Sequence, residues 1–366
     1  MAKFVCPYCL QDCNLKEVLF ACNSCGQIHP DMRMFERHPK CQNEGCPGLV
    51  TIRLCPKCEH RIPTTALETP NLPFSIVGVP GAGKTNYITV MLQELRNESA
   101  LQLALSHQDK DTMEHQDELY QMIYEDLTPP PPTEAGERMP QIWSIKNLQR
   151  KAKNSVPTYT FTIFDGAGED HENEIDPTSA VARYINISKA IIFVLDPLTL
   201  SSIRRGGIVD QKVMRDSLVG GEGDTKMAGN IISDVANYIR TMNPKLKATS
   251  VLNLPVAVVL TKFDTVWNHP SFGPDARIKH PKLTINGGKI SMSEIDQVHA
   301  EIEHWLHAIG EGALINIMDA NFKEYKLFGV SSYGSPPKDA STLNRPDPHR
   351  VLDPLLWMFK KQKFID

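Results

Sequence analysis

Cysteine is absent from everything after Cys58, and no apolar run is long enough to span a bilayer. The best runs, Ala190–Leu195 and Val256–Leu260, are strand-length. Charge of one sign is also lacking, for the net charge is only −4. That balance argues against a chain whose main work is coating nucleic acid or an anionic membrane. The N-terminus has no charged-then-apolar leader pattern, so a cytoplasmic protein is expected. Within 366 residues, 41% are apolar and 22% charged, enough to bury a core in one large domain or two.

The nine cysteines crowd into the first 58 residues. Without a leader, a reducing compartment and a bound metal explain them better than disulfides. Cys6-x-x-Cys9, Cys22-x-x-Cys25 and Cys55-x-x-Cys58 are tight knuckles, and Cys41-x-x-x-x-Cys46 is a looser fourth pair. Eight thiolates suit two closed tetrahedral zinc sites with a structural role. Sequential pairing groups Cys6, Cys9, Cys22 and Cys25, then Cys41, Cys46, Cys55 and Cys58. A cross-braced pairing is the alternative. Cys13 is left over as a small buried residue, and His29, His38 and His60 are reserve ligands expected at the surface. Residues 1–66 carry eight Lys and Arg against six Asp and Glu. Zinc–thiolate centres offset that excess, so nucleic acid is not favoured and protein docking is preferred.

Composition changes near Ile62, and Pro63–Pro73 reads as a linker into a second domain over 67–366. There the pattern alternates strands and helices, which implies an α/β fold with a mostly parallel sheet flanked by helices. Phe74–Val79, Ala190–Leu195 and Pro255–Leu260 read as buried strands, and Tyr325–Val330 as a further strand. Gln141–Lys146 and Thr158–Phe164 alternate and read as neighbouring strands. Helices are expected over Lys84–Arg96, Thr178–Asn186, Asn230–Thr241, Ser293–Ile309, capped by Ser293, and Asp353–Lys363. Insertions are expected around 101–140, a polar, helix-prone stretch halted by Pro129–Pro132, and around 197–250. Val266–Lys289 reads as a long loop.

Gly78-Val-Pro80-Gly81-Ala82-Gly83-Lys84-Thr85 fits Gly-x-x-x-x-Gly-Lys-Ser/Thr without departure, between an apolar strand and an amphipathic helix. Glycines let the backbone wrap a phosphate, and the helix N-terminus adds positive potential there. Lys84 is placed to reach the β- and γ-phosphates and Thr85 to ligate magnesium. Asp165-Gly-Ala-Gly168 closes a strand, which suits Asp165 to magnesium and the Gly168 amide to the γ-phosphate. Thr261-Lys262-Phe-Asp264 closes another. The Asp264 carboxylate matches the N1 and N2 donors of guanine, a pair adenine lacks, and Lys262 can pack over the ring. Backbone amides at Ser331 and Ser332 are placed for the guanine carbonyl.

In this order the motifs resemble the first, third, fourth and fifth signatures of small P-loop GTPases of the translation-factor and Ras-like superclass, over about Phe74–Ser332. Thr261 stands where asparagine is commoner. For the second signature, a threonine closing over magnesium, Thr133 is the choice and Thr128 the alternative. The residue that orients water in Ras-like enzymes is commonly glutamine. Here Glu169 stands in its place, with His171 a second candidate. The resemblance therefore implies GTP and GDP as ligands and slow hydrolysis, raised by a partner or by self-association. Arg204 and Arg205 are conceivable arginine fingers. A cysteine-rich module on such a domain is similar to zinc-ribbon-bearing bacterial GTPases of the double-GTPase type, often associated with multi-component conflict systems. That likeness implies a protein effector or co-encoded subunits. A GTP-locked scaffold with little hydrolysis and an ATPase subunit are the competing expectations.

Overall fold

The computed structural model describes residues 3–30, 39–78, 81–131, 140–165, 179–206, 209, 214, 228–337 and 342–366, with backbone alone at 165 and 180. Two small antiparallel pairs open the chain: β1 (Lys3–Val5) with β2 (Asp12–Asn14), and β3 (Leu19–Cys22) with β4 (Val50–Leu54). A short helix α1 (Thr64–Glu68) follows, within the stretch read above as linker. Its Ala66 and Leu67 join Phe4, Val18, Phe20, Val50 and Ile62 in a small hydrophobic cluster of their own. Apolar side chains on one helical turn join a core, so this stretch packs where a linker was expected.

Among the described residues the remaining strands are β5 (Asn71–Gly78), β6 (Leu103–His107), β7 (Gln141–Asn147), β8 (Thr158–Asp165), β9 (Ala190–Leu195), β10 (Val256–Leu260), a hairpin of β11 (Ile285–Asn286) and β12 (Lys289–Ile290), and β13 (Tyr325–Gly329). Seven of them form one sheet in the order β13-β10-β9-β5-β8-β7-β6. The five from β13 to β8 are mutually parallel, while β7 and β6 each run antiparallel to their neighbour. The central strands β9 and β10 are buried along their whole length, as strands covered on both faces must be.

Helices α2 (Lys84–Asn97), α3 (Lys110–Tyr120), α4 (Ala180–Ile187), α5 (Ser201–Gly206), α6 (Ala228–Met242), α7 (Met292–Ala308), α8 (Gly312–Asn321) and α9 (Asp353–Lys361) accompany the sheet. Helix α2 buries Tyr87, Ile88, Met91, Leu92 and Leu95, the stripe read from its sequence. Helix α9 is apolar nearly all round, and Phe359 packs against Phe74 and Phe161 of the sheet.

Three local expectations are corrected. The helix-prone stretch after Leu101 begins with edge strand β6, whose exposed Ala104, Ser106 and His107 hid its period-two pattern. The cap of α7 is Ser291, whose Oγ accepts from the Glu294 N–H at 3.3 Å, so the helix starts before Ser293. The loop after Val266 contains a 3₁₀ turn over Arg277–Lys279 and the β11–β12 hairpin.

Candidate nucleotide site and cysteine tetrads

Register brings the site together. Gly78 pairs with Val194, while Leu195, Leu260 and Gly329 lie level on β9, β10 and β13. The next residues of each strand therefore emerge along one edge of the sheet. Asp165, pairing with Ile76, ends β8 at the same edge. Gly78 is required there, because a Cβ would stand 2.3 Å from the Val194 carbonyl oxygen. Gly83 adopts the left-handed conformation at φ 76° and caps α2, whose first turn holds no acidic residue. The positive helix end thus faces the loop uncompensated, which suits an anion.

Lys84 is buried, and its Nζ donates to the Gly78 carbonyl at 2.9 Å, so the ammonium lies folded across its own loop. Thr85 is half-buried in the first turn of α2. The Thr261 hydroxyl lies 2.7 Å from the Ala82 carbonyl and 3.2 Å from that of Leu195, fastening the end of β10 to the phosphate loop. Lys262 is left-handed at φ 49° and its Nζ donates to Gly81 O at 3.1 Å. Phe263 is fully buried beneath Gly329 and against Trp305, which anchors the turn that presents Asp264. Burial raises the pKa of the half-buried Asp264 carboxyl, opposed by a hydrogen bond with the Ser331 side chain and by the Lys262 charge. Ser331 is buried and its backbone pairs with His349 in both directions, at 3.0 and 2.8 Å. Ser332 is half-buried beside it.

One member of the site escaped the sequence reading. Asp196 follows β9, is 1% exposed, and places Oδ2 2.6 Å from Lys262 Nζ, while its Oδ1 accepts from the Leu198 N–H at 2.9 Å. An acidic residue directly after six buried strand residues was the available signal. Pro80, Thr133, Gly168, Glu169 and His171 lie outside the described residues, as does the side chain of Asp165. Thr128 is exposed, and Arg204 and Arg205 are exposed at the end of α5.

The cysteines gather into two tetrads, Cys6/Cys9/Cys55/Cys58 and Cys22/Cys25/Cys41/Cys46. The pairing is nested, which overturns the sequential grouping. The β3–β4 pair holds the two middle knuckles at one end and returns the chain so that the first and last knuckles meet. Sulfur separations are 3.8 Å for Cys6–Cys58 and Cys9–Cys55, and 3.6 Å for Cys22–Cys46 and Cys25–Cys41. A tetrahedron with Zn–S bonds of about 2.3 Å has edges of about 3.8 Å, so both tetrads fit zinc. Backbone amides two residues on point to the sulfurs of Cys22, Cys41, Cys46 and Cys55, all at 3.4 Å, and favour thiolates. His29 is buried, with Nε2 3.5 Å from Cys41 Sγ, and is not a surface histidine. His38 lies outside the described residues. His60 is exposed and stacks on Tyr8. Cys13 is buried, 3.9 Å from Cys55 Sγ.

A phosphate loop, a strand-end aspartate and a Thr-Lys-x-Asp turn on one edge of a mostly parallel sheet define a P-loop GTPase fold. The sequence model of the Double-GTPase 2 family matches residues 73–332, and the chain belongs to that family. Comparison with curated proteins gives no match. Among solved structures it is similar to the Arl6 BBS3 small GTPase of Trypanosoma brucei with bound GppNp, at 12% identity over 81% of this chain and 99% of that one, TM-score 0.30. It is also similar to the GTP-bound GTPase-like domain of S. cerevisiae Ski7, at 12% identity, 72% and 43% coverage and TM-score 0.32. These scores are low, and the assignment rests on the family match. Among the described residues no helix is long and apolar enough to cross a membrane.

Proposed function

We propose that this chain is a magnesium-dependent switch that binds and hydrolyses GTP, joined to a zinc-bearing module over 1–66 that docks a protein effector or co-encoded subunits. The carrying observation is Asp264, half-buried at the sheet edge with Ser331 and Lys262 about it. A carboxylate there is satisfied by the paired donors of guanine and left unpaired by adenine. Lys84, the amides of Gly81 to Gly83 and the α2 N-terminus are the groups that would hold the phosphates, with Thr85 and Asp165 holding magnesium. Bound magnesium would neutralise charge developing on the transferred phosphoryl group. Thr261 and Lys262 keep the loop in place through their bonds to Ala82 and Gly81. The closed cysteine tetrads fit structural zinc, and the module's near-balanced charge favours a protein partner over nucleic acid. A cytoplasmic setting and a role in a conflict system accord with the family likeness.

The test is competition of GTP against ATP for the intact protein. GTP is expected to win by about 10⁴-fold, and Asp264→Ala to bring the two within tenfold. Equal competition by ATP in the unmodified protein would refute guanine recognition. Glu169, where glutamine is usual, favours a second reading, a GTP-locked scaffold. Single-turnover phosphate release separates the two.

A further inference from the structure

The first knuckle and the residue after it contact helices and core of the larger domain. Leu10, left-handed at φ 63°, packs into the main core rather than the module's own. The Tyr8 hydroxyl donates to Asp109 at 3.5 Å. Between the ligands Cys6 and Cys9, the Pro7 carbonyl accepts a hydrogen bond from the Tyr184 hydroxyl of α4. Tyr184 is buried, and its ring stacks on Phe164 with centroids 4.2 Å apart and planes at 9°. Phe164 directly precedes Asp165 at the end of β8. One turn beyond Tyr184, at the C-cap of α4, Ser188 Oγ lies 2.7 Å from the Oγ of Ser75, three residues before Gly78 on β5. Helix α4 and its C-cap thus touch the first cysteine knuckle and two of the strands that lead into the nucleotide site, β8 and β5. The second tetrad differs. Among the described residues, hydrogen bonds of the Cys22–Gly48 stretch all run within the module.

We propose that Tyr184 is a positioning residue that couples the Cys6/Cys9/Cys55/Cys58 metal site to the nucleotide site, so that zinc there and guanine nucleotide at the phosphate loop alter each other's release. This rests on the GTPase reading above. The Pro7 backbone is fixed while its flanking cysteines share one metal, and it is released when they part. Tyr184 is buried, so a hydroxyl that parts from the Pro7 carbonyl has no water to turn to. A buried donor that loses its partner is costly, so α4 follows the knuckle. Coupling between the two affinities is reciprocal, so how tightly zinc is held reports the effect of nucleotide.

The experiment uses the full chain loaded with zinc. Release to a chromogenic chelator is timed without nucleotide, with GDP and with GppNp, and nucleotide binding is followed in parallel with fluorescent GDP. One of two zinc phases is expected to change at least threefold between the empty and nucleotide-bound protein, and the other to stay constant. A Cys25→Ser/Cys46→Ser variant should keep only the sensitive phase, which assigns it to the first tetrad. Tyr184→Phe keeps the ring stack and removes the donor. It should release that zinc severalfold faster, with the nucleotide effect lost. Nucleotide binding with both phases indifferent to it overturns the coupling, a result the unmodified protein delivers even if a variant misfolds. An unaltered nucleotide effect in Tyr184→Phe overturns the role of Tyr184. Failure of any guanine nucleotide to bind appears separately in the fluorescence arm, and it removes the GTPase reading and the coupling together.

Discussion

Replacing Asp196 by asparagine keeps the side-chain shape and an oxygen for the Leu198 amide, and removes the charge facing Lys262. The pair is 2.6 Å apart, with the carboxylate side chain 2% exposed and the lysine 24%. Breaking a fully buried pair costs about 3–5 kcal/mol, and an exposed pair is worth about 0.2–1 kcal/mol. Lys262 reaches water and keeps the Gly81 carbonyl, and the amide oxygen still accepts, so the effect lies between these limits at about 1–2 kcal/mol. That is a factor of roughly 5–30 in an equilibrium constant. The loss falls on the placement of Lys262 and, through Gly81, on the phosphate loop. GDP and GTP should therefore weaken together, mostly through faster dissociation, while the preference over ATP stays with Asp264. Stopped-flow displacement of fluorescent GDP reads the rate. An Asp196→Asn protein with native circular dichroism, full zinc content and an unchanged dissociation rate would refute the argument, leaving the pair a bystander.

Zinc stoichiometry tests the nested pairing. Cys6→Ser with Cys58→Ser should leave one zinc per chain and Cys6→Ser with Cys25→Ser none, whereas sequential pairing demands the reverse. A pH effect on stability follows from Asp353, fully buried beside Arg350, with burial raising its carboxyl to about 6. A carboxyl raised above its unfolded value of 3.8 holds its proton longer in the folded state. Its contribution therefore weakens stability as pH rises from about 4 to 6 and is constant above that. Denaturation midpoints of the protein and of Asp353→Asn, compared at pH 4.5 and 7, should show the unmodified protein losing ground to the variant at the higher pH. An offset that stays constant with pH would refute it.

How much of this was legible in the sequence depended on whether an element's signal was local. The phosphate loop was, because a strand, three glycines and a helix are contiguous and each has one backbone task. So were β9 and β10, whose burial on both faces writes itself as an unbroken apolar run. Edge strand β6 was not, since only Leu103 and Leu105 face inward and five residues barely show a period. The cysteine pairing was illegible for a different reason. Knuckle spacing fixes which two sulfurs turn together, but which knuckles meet depends on the β3–β4 pairing, and that is tertiary. Asp196 belongs to the same class. An acidic residue after a strand is an ordinary turn residue until the register of β9 against β10 sets it beside Lys262, whose own place depends on Phe263 filling the space under Gly329. Chemistry assembled from several strand ends thus shows its members in sequence wherever one residue type is demanded by the ligand. Residues demanded only by other members of the site stay hidden until the sheet is aligned.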